Sequence, residues 1–144
     1  MNAWYHHLFL AILSGILLSI SWPVNGIPFL VFFAFIPILY IGYSIQKTCM
    51  SRCGLRFFAH IYLAFFLWNL FTTYWIFFSS PEGAYLAILV NALLMALIWV
   101  LYFYTYKVLG KKVGYISLIA YWLAFEFLHL DWDLSWPWLM LGNV

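Results

Sequence analysis

Charged residues are scarce in this chain of 144 residues, and their scarcity excludes most classes of soluble protein. Only 7% of the residues are charged, whereas 68% are hydrophobic. A soluble globular domain carries about 25% charged residues. These few polar groups could not cover the surface of a globular protein in water. The protein must therefore be surrounded by lipid. We therefore predict an all-α integral membrane protein with no separate soluble domain.

Several kinds of chemical site are excluded because the residues they require are missing. Cys49 and Cys53 are the only cysteines, and no second ligand pair exists to complete a zinc site. Glu126 and His129 have the spacing found in di-iron bundles, but those bundles need a second such motif. There is no glycine-rich phosphate loop and no basic groove for nucleic acid. We predict no metal, no cofactor and no catalytic residue within this chain, and no nucleic-acid partner.

Apolar runs separated by turn-forming or basic segments predict a bundle of about five transmembrane helices. Pro37 lies within the second run and should kink that helix. We treat residues 1–144 as one transmembrane domain with an outward interfacial tail at residues 129–144. The predicted spans cover about residues 4–22, 27–45, 57–78, 84–106 and 113–128.

The positions of the basic residues predict the orientation. All six Lys and Arg residues lie in the linkers 46–56 and 107–112. Two predicted spans separate these linkers, so both linkers fall on the same side of the membrane. Cytoplasmic segments carry an excess of Lys and Arg. We therefore expect a cytoplasmic N-terminus and a periplasmic segment at residues 129–144.

A few polar residues interrupt the spans. Asn69, Thr72 and Thr73 share one face of the third span. That face either forms interhelical hydrogen bonds or lines a wall facing lipid headgroups or water. Asn91 is interpreted as a structural polar residue of the fourth span, and Trp75 as a marker of the far membrane interface.

The end of the chain begins as a membrane helix and cannot continue as one. Glu126 lies near the outer end of the fifth span, where a carboxylate is expensive to bury, so it should be paired, protonated or near water. We interpret it as a structural polar residue that anchors the helix end by hydrogen bonding. Pro137 blocks helix continuation, and the indoles of Trp136 and Trp138 favour the membrane–water boundary. We predict an outward interfacial or re-entrant segment. It is either an aromatic belt or a rim that holds acyl chains or lipid headgroups.

The run WLAFEFLHLDWDLSWPWLMLGN resembles the signature of bacterial apolipoprotein N-acyltransferases. Trp136 stands where that family has Phe, and His129 stands where it often has Arg. SISWPVNGIPFLVFFAFIPIL resembles the first hairpin of the family, and WNLFTTYWI its third helix, so the resemblance covers nearly the whole chain. The matching residues of the signature are Trp122, Glu126, Phe127, Leu128, Pro137, Trp138, Leu139 and Gly142.

The resemblance implies an enzyme of the bacterial inner membrane that works in lipoprotein biosynthesis. A periplasmic nitrilase-type domain carries a Glu-Lys-Cys triad. Its Cys takes an acyl chain from a phospholipid and passes it to the N-terminal cysteine amine of a diacylglyceryl lipoprotein. The implied partners are the phospholipid donor, the lipoprotein acceptor and membrane lipids. The residues expected to contact lipid substrates are Trp136, Pro137, Trp138, Gly142, Trp75 and Asn69.

We expect no residue of this chain to correspond to the triad, because residues 1–144 hold only the stretch that precedes the nitrilase-type domain in the family. We expect residues 1–144 to be the membrane part of such an enzyme, as a fragment, a truncated product or one piece of a split protein. Alone, it should hold lipid substrates without transferring acyl groups. The alternative is a small stand-alone membrane protein, acting as a structural partner or a lipid-binding or transport subunit. Reading the gene beyond codon 144 discriminates between them.

Overall fold

The computed structural model describes residues 3–22, 26–131 and 137–143, and this part of the chain is helical without any strand. The predicted all-α membrane class is confirmed. The helices are α1 (Ala3–Ser21), α2 (Val31–Ala34), α3 (Ile36–Thr48), α4 (Cys53–Thr73), α5 (Pro81–Leu109) and α6 (Lys111–Leu128). Short 3-10 turns lie at Pro28–Leu30, Tyr74–Phe78, Pro137–Leu139 and Leu141–Asn143.

Four helical segments among the described residues are long and apolar enough to cross a membrane. They are Trp4–Ser21, Pro28–Thr48, Cys53–Phe78 and Pro81–Leu109. α6, which corresponds to the fifth predicted span, has 18 residues and carries Lys111, Lys112 and Glu126. α6 is not counted among the four membrane-spanning segments, because it carries three charges and is barely long enough to span the hydrocarbon core.

The second membrane segment is broken where the sequence places a proline. α2 ends at Ala34, Phe35 adopts a turn, and α3 begins with Pro37 in its first positions. Pro37 has no backbone N–H to donate, so the α-helical hydrogen-bond ladder cannot run through this point. The Ser14 hydroxyl of α1 donates to the Ala34 carbonyl at 2.6 Å. A neighbouring helix thus satisfies a backbone acceptor beside the break, as helices in lipid require.

α4 lies at the centre of the bundle, between α1 and α5, and α5 also packs against α6. Its buried face carries large aromatic side chains, among them Phe57 and Trp68. Phe57 stacks on Phe103 of α5 with ring centroids 4.7 Å apart. Gly15 lets α1 approach α4, since a Cβ there would lie 2.8 Å from the Ala64 carbonyl oxygen. Close packing of this kind holds helices together in lipid, where apolar burial alone drives little association.

Tight connections make the neighbouring helices antiparallel. Before α5, the Ser80 hydroxyl oxygen accepts a hydrogen bond from the Gly83 N–H at 3.3 Å, and Pro81 occupies the first turn. Both are favourable at a helix start. Gly110 separates α5 from α6 with φ at 87°. Glycine adopts such a positive φ without steric cost.

The antiparallel arrangement gathers the basic residues at one end of the bundle. Gly54, at the start of α4, lies against the Tyr104 side chain near the end of α5. The linkers that flank these positions carry all six Lys and Arg residues. We call this the basic end; it holds Lys47, Arg52, Arg56, Lys107, Lys111 and Lys112. The opposite end, where α4 finishes, is called the tryptophan end; it holds Trp22, Trp75 and Trp138.

Candidate functional site

A carboxylate of α6 fastens the last described segment of the chain to the bundle. One oxygen of Glu126, Oε1, accepts a hydrogen bond from the Leu141 backbone N–H at 2.7 Å. The same atom accepts a second bond from the Trp122 indole N–H at 2.9 Å. Trp122 and Glu126 are four residues apart, so they lie on one face of α6. Leu139, in the first of the two short 3-10 turns, is buried. The segment 137–143 is therefore docked on the helices.

The same segment is held by a tryptophan that follows α1. The Trp22 indole N–H donates to the Trp138 backbone carbonyl at 2.9 Å. The Trp22 ring packs edge-to-face on the buried Trp68 ring, with centroids 5.1 Å apart. The Trp138 indole packs edge-to-face against Trp75, with centroids 5.9 Å apart. Trp138 and Trp75 remain 56% and 44% exposed. Two large amphipathic rings are thus fixed in place yet stay available at the surface.

An open apolar groove lies on the outer face of the bundle beside this segment. Its volume is about 300 Å³. Its lining includes Phe35, Trp99, Ile119, Leu123 and Leu141. Ile119 and Leu123 are largely exposed, so the groove opens toward lipid. An apolar recess of this kind can accept a hydrocarbon chain.

The polar residues in the middle of the bundle face one another. Asn91 of α5 donates its side-chain amide to Asn69 Oδ1 of α4 at 2.8 Å. Asn69 is completely buried and donates in turn to the Phe65 carbonyl. The Thr73 hydroxyl donates to the Asn69 carbonyl at 2.5 Å. This part of the polar face of α4 thus forms interhelical and local hydrogen bonds, and Asn69 lies inside the bundle.

Comparison with known proteins assigns the family. Residues 14–144 match the family model described as the apolipoprotein N-acyltransferase N-terminal domain. The chain belongs to this family. It is 29% identical over 138 residues to a protein named apolipoprotein N-acyltransferase from Chlorobaculum tepidum. The match covers 94% of this chain but only 25% of that relative, so the chain spans about a quarter of the relative's length. No solved structure matches the chain.

Within the N-acyltransferase family signature, the structure separates buried from exposed positions. Trp122 is buried and Glu126 half-buried, joined by their hydrogen bond, whereas Phe127 points outward with 75% of its surface exposed. Gly142 is exposed, and a Cβ placed there would meet no atom within 4 Å. Trp136 and the side chain of Pro137 lie outside the described part of the molecule. Their contact with lipid stays a prediction, as it does for Trp138, Gly142, Trp75 and Asn69.

Sequence reasoning alone missed three residues that build this region. In the sequence, Trp22 marks only the end of the first span, Leu139 is one residue of the family signature, and Leu141 carries no signal. The Trp122–Glu126 spacing is a usable signal, since residues four apart on a helix can bond. Nothing in the sequence marks the backbone of Leu141 or of Trp138 as the partner, because those contacts cross the fold. Among the described residues no group of three His, Cys, Asp or Glu side chains could hold a metal ion.

Proposed function

We propose that this chain is the membrane region of an apolipoprotein N-acyltransferase of the bacterial inner membrane. The complete enzyme would transfer an acyl chain from a phospholipid to the N-terminal cysteine amine of a lipoprotein. In this proposal the tryptophan end faces the periplasm and the basic end faces the cytoplasm, in keeping with the distribution of Lys and Arg. Family membership and the name of the Chlorobaculum tepidum relative support the activity.

The observation that carries a substrate-holding role is the fixed but exposed Trp75–Trp138 pair. The hydrogen bond from the Leu141 N–H to Glu126 and the one from Trp22 to the Trp138 carbonyl hold the backbone of this segment in place. The two indoles therefore form a preorganised surface at the depth where lipid headgroups meet acyl chains. This rim would position the donor phospholipid below the catalytic domain, and the groove beside Leu141 would take one of its acyl chains.

The chemistry of the transfer itself would come from residues outside this chain. Acyl transfer through a covalent intermediate needs an activated nucleophile such as a Cys thiolate. Cys49 donates its thiol to the Ser51 carbonyl, and Cys53 donates to the Cys49 carbonyl. Both lie at the basic end, away from the rim. The proposed contribution of residues 1–144 is therefore binding and orientation of lipid.

The test uses a full-length N-acyltransferase polypeptide that contains these residues. Trp138→Ala removes half of the exposed indole pair and should lower the rate of lipoprotein acylation roughly fivefold or more. Phe9→Ala is the control, because Phe9 is 61% exposed on α1 and belongs to neither the rim nor the groove. Unchanged acylation in Trp138→Ala, with normal membrane insertion, would exclude the rim from substrate binding.

The groove is tested in the same assay by filling it. Ile119→Trp places a larger side chain in the groove, and we expect acylation to fall roughly tenfold. Ile116→Trp is matched to it, because Ile116 is 69% exposed on the same helix and does not line the groove. Equal rates for the two variants would show that the groove holds no part of the substrate.

A further inference from the structure

A small pocket of mixed polar and apolar lining lies at the basic end, between the N-terminal parts of α1 and α4 and the last turn of α3. Its volume is about 60 Å³, and its lining combines the apolar side chains of Trp4 and Ile45 with the polar ones of His7, Thr48, Arg56 and His60. One water molecule needs only about 15 Å³ of such space. The pocket therefore has room for a group of several heavy atoms, and the polar side chains in its lining distinguish it from the wholly apolar groove beside Leu141.

His60 is the buried polar group of this pocket, and one of its nitrogens is unpaired. Its Nδ1 lies 2.6 Å from the Arg56 carbonyl oxygen. A carbonyl can only accept, so Nδ1 carries the hydrogen, and Nε2 of the neutral ring is an acceptor. His60 is 5% exposed, and its Nε2 has no hydrogen-bond partner among the described residues. A buried acceptor without a hydrogen bond is unfavourable. A hydrogen-bond donor from a molecule outside the chain would therefore stabilise this site.

The neighbouring imidazole does not supply that donor. His7 Nε2 lies 2.9 Å from the Ser44 hydroxyl of α3, so this nitrogen is already paired. The rings of His7 and His60 meet edge-to-face, with centroids 5.6 Å apart. His7 thus helps to shape the pocket wall, while the Nε2 acceptor of His60 stays buried and without a partner among the described residues.

Arg56 brings a positive charge that no carboxylate of the described residues neutralises nearby. The chain has four acidic residues, and all of them lie at or beyond position 82 in the sequence. Glu82 begins α5 at the tryptophan end, and Glu126 and Asp131 lie at or just beyond the end of α6. Arg56 shares the basic end with five other cations. We therefore expect an anion at this pocket to come from outside the chain.

We propose that this pocket binds a phosphate group that carries a hydroxyl hydrogen. The Arg56 guanidinium pairs with the phosphate charge, an interaction that its geometry favours. The P–OH donates its hydrogen to His60 Nε2, so a single group satisfies both the unpaired acceptor and the unneutralised cation. Phosphatidic acid and free inorganic phosphate share this chemistry. Basic pockets between transmembrane helices are typical binding places for lipid headgroups.

The proposal is tested by ¹⁵N NMR of the histidine side chains, on the protein as its gene encodes it, in phosphatidylcholine nanodiscs. The His60 signal is identified by its loss in His60→Gln. Phosphatidic acid in the bilayer, or inorganic phosphate in the buffer, should shift the His60 Nε2 resonance as that nitrogen gains a donor. A shift with phosphatidic acid alone assigns the lipid as the source, and a shift with inorganic phosphate assigns the free ion. No shift in either arm overturns the proposal.

A matched pair of arginine variants separates a specific site from general attraction to a basic surface. Arg56→Gln should raise about tenfold the concentration of phosphatidic acid or phosphate that half-saturates the His60 shift, because a charged hydrogen-bond partner is lost. Arg52→Gln removes the same charge from the same linker without touching the pocket, and should raise it about twofold or less. Equal increases in the two variants would mean that phosphate collects on the basic end without occupying this pocket.

Discussion

The two ends of the bundle satisfy their polar groups in different ways. At the tryptophan end, the Glu126 carboxylate receives two hydrogen bonds from the chain itself, and the Trp22 indole finds the Trp138 carbonyl. At the basic end, within the described residues, the cations lack carboxylate neighbours and one nitrogen of buried His60 is unpaired. The polar groups of the tryptophan end thus find partners within the protein, whereas those of the basic end depend on partners from the surroundings.

This difference between the two ends follows from the path of the chain after α6. Segment 137–143 comes back to the tryptophan end after α6 and supplies backbone donors and acceptors for side chains there. Only a short linker at Cys49–Arg52 and a single glycine at Gly110 connect helices at the basic end. Short connections contain few backbone or side-chain groups that could form hydrogen bonds with the helices. Polar side chains at the basic end must therefore bind water, ions or lipid headgroups.

The strongest way to break this contrast is to remove the carboxylate. Glu126→Ala leaves the Trp122 indole N–H and the Leu141 N–H without their acceptor. Buried unpaired donors cost about 1–3 kcal/mol each, so we expect a loss of roughly 2–4 kcal/mol in the free energy of unfolding. Unfolding in mixed micelles measures it, and hydrogen exchange should show that the Leu141 amide loses its protection.

Glu126→Gln is the matched control, because its amide oxygen can still accept both bonds. It should cost clearly less than Glu126→Ala, with the Leu141 amide still protected. If both variants were as stable as the unmodified chain, segment 137–143 would owe nothing to this carboxylate.

Trp22→Phe is a smaller change at the same end. The phenyl ring keeps the edge-to-face contact with Trp68 but has no N–H to donate to the Trp138 carbonyl. We expect a loss of about 1 kcal/mol, the usual net value of one hydrogen bond. The fluorescence of Trp138 should become more accessible to an aqueous quencher. Stability and quenching that both match the unmodified protein would show that this bond does not hold the segment.

The smallest expected effect concerns pH and His129, which follows α6 at the tryptophan end. Burial lowers the pKa of His129 below its ordinary value of 6.5. The unfolded chain then binds the proton more readily than the folded chain. Stability should therefore be complete above about pH 6.5 and fall as the pH drops from there toward the folded pKa.

His129→Gln provides the comparison for that titration, since it removes the group without adding a charge. The difference in unfolding free energy between the two proteins should shrink or change sign as the pH falls below 6.5. A difference that is constant across this range would show that His129 titrates alike in both states.

Part of this architecture could be predicted from the sequence because its causes are local. The scarcity of charge and the length of the apolar runs predict membrane helices, and Pro37 predicts the break that appears at Phe35. The turn-forming and basic segments between the apolar runs likewise fall where helices begin or end, at Ser80 and at Gly110. The family resemblance is carried by a short run of residues around Glu126 and Trp138, so the sequence indicates the family by itself.

Other features could not be predicted because they join residues far apart in the chain. The two interpretations of the polar face on α4 differ in what lies opposite Asn69, and no local pattern shows that its hydrogen-bond partner is Asn91, 22 residues away. The Trp22–Trp138 bond spans 116 residues. No local sequence pattern identifies such hydrogen-bond partners, because each bond depends on the relative position of two distant segments in the fold.

By itself, the sequence determined the solvent, the helical class, the grouping of positive charge and the family, because composition, periodicity and local turn chemistry are properties of short stretches. Tertiary structure alone decided that Glu126 fastens segment 137–143, that Trp75 and Trp138 meet at the surface, and that His60 keeps one nitrogen unpaired among the described residues. Packing brings together atoms distant in sequence, and a hydrogen bond or its absence depends on tenths of an ångström between them.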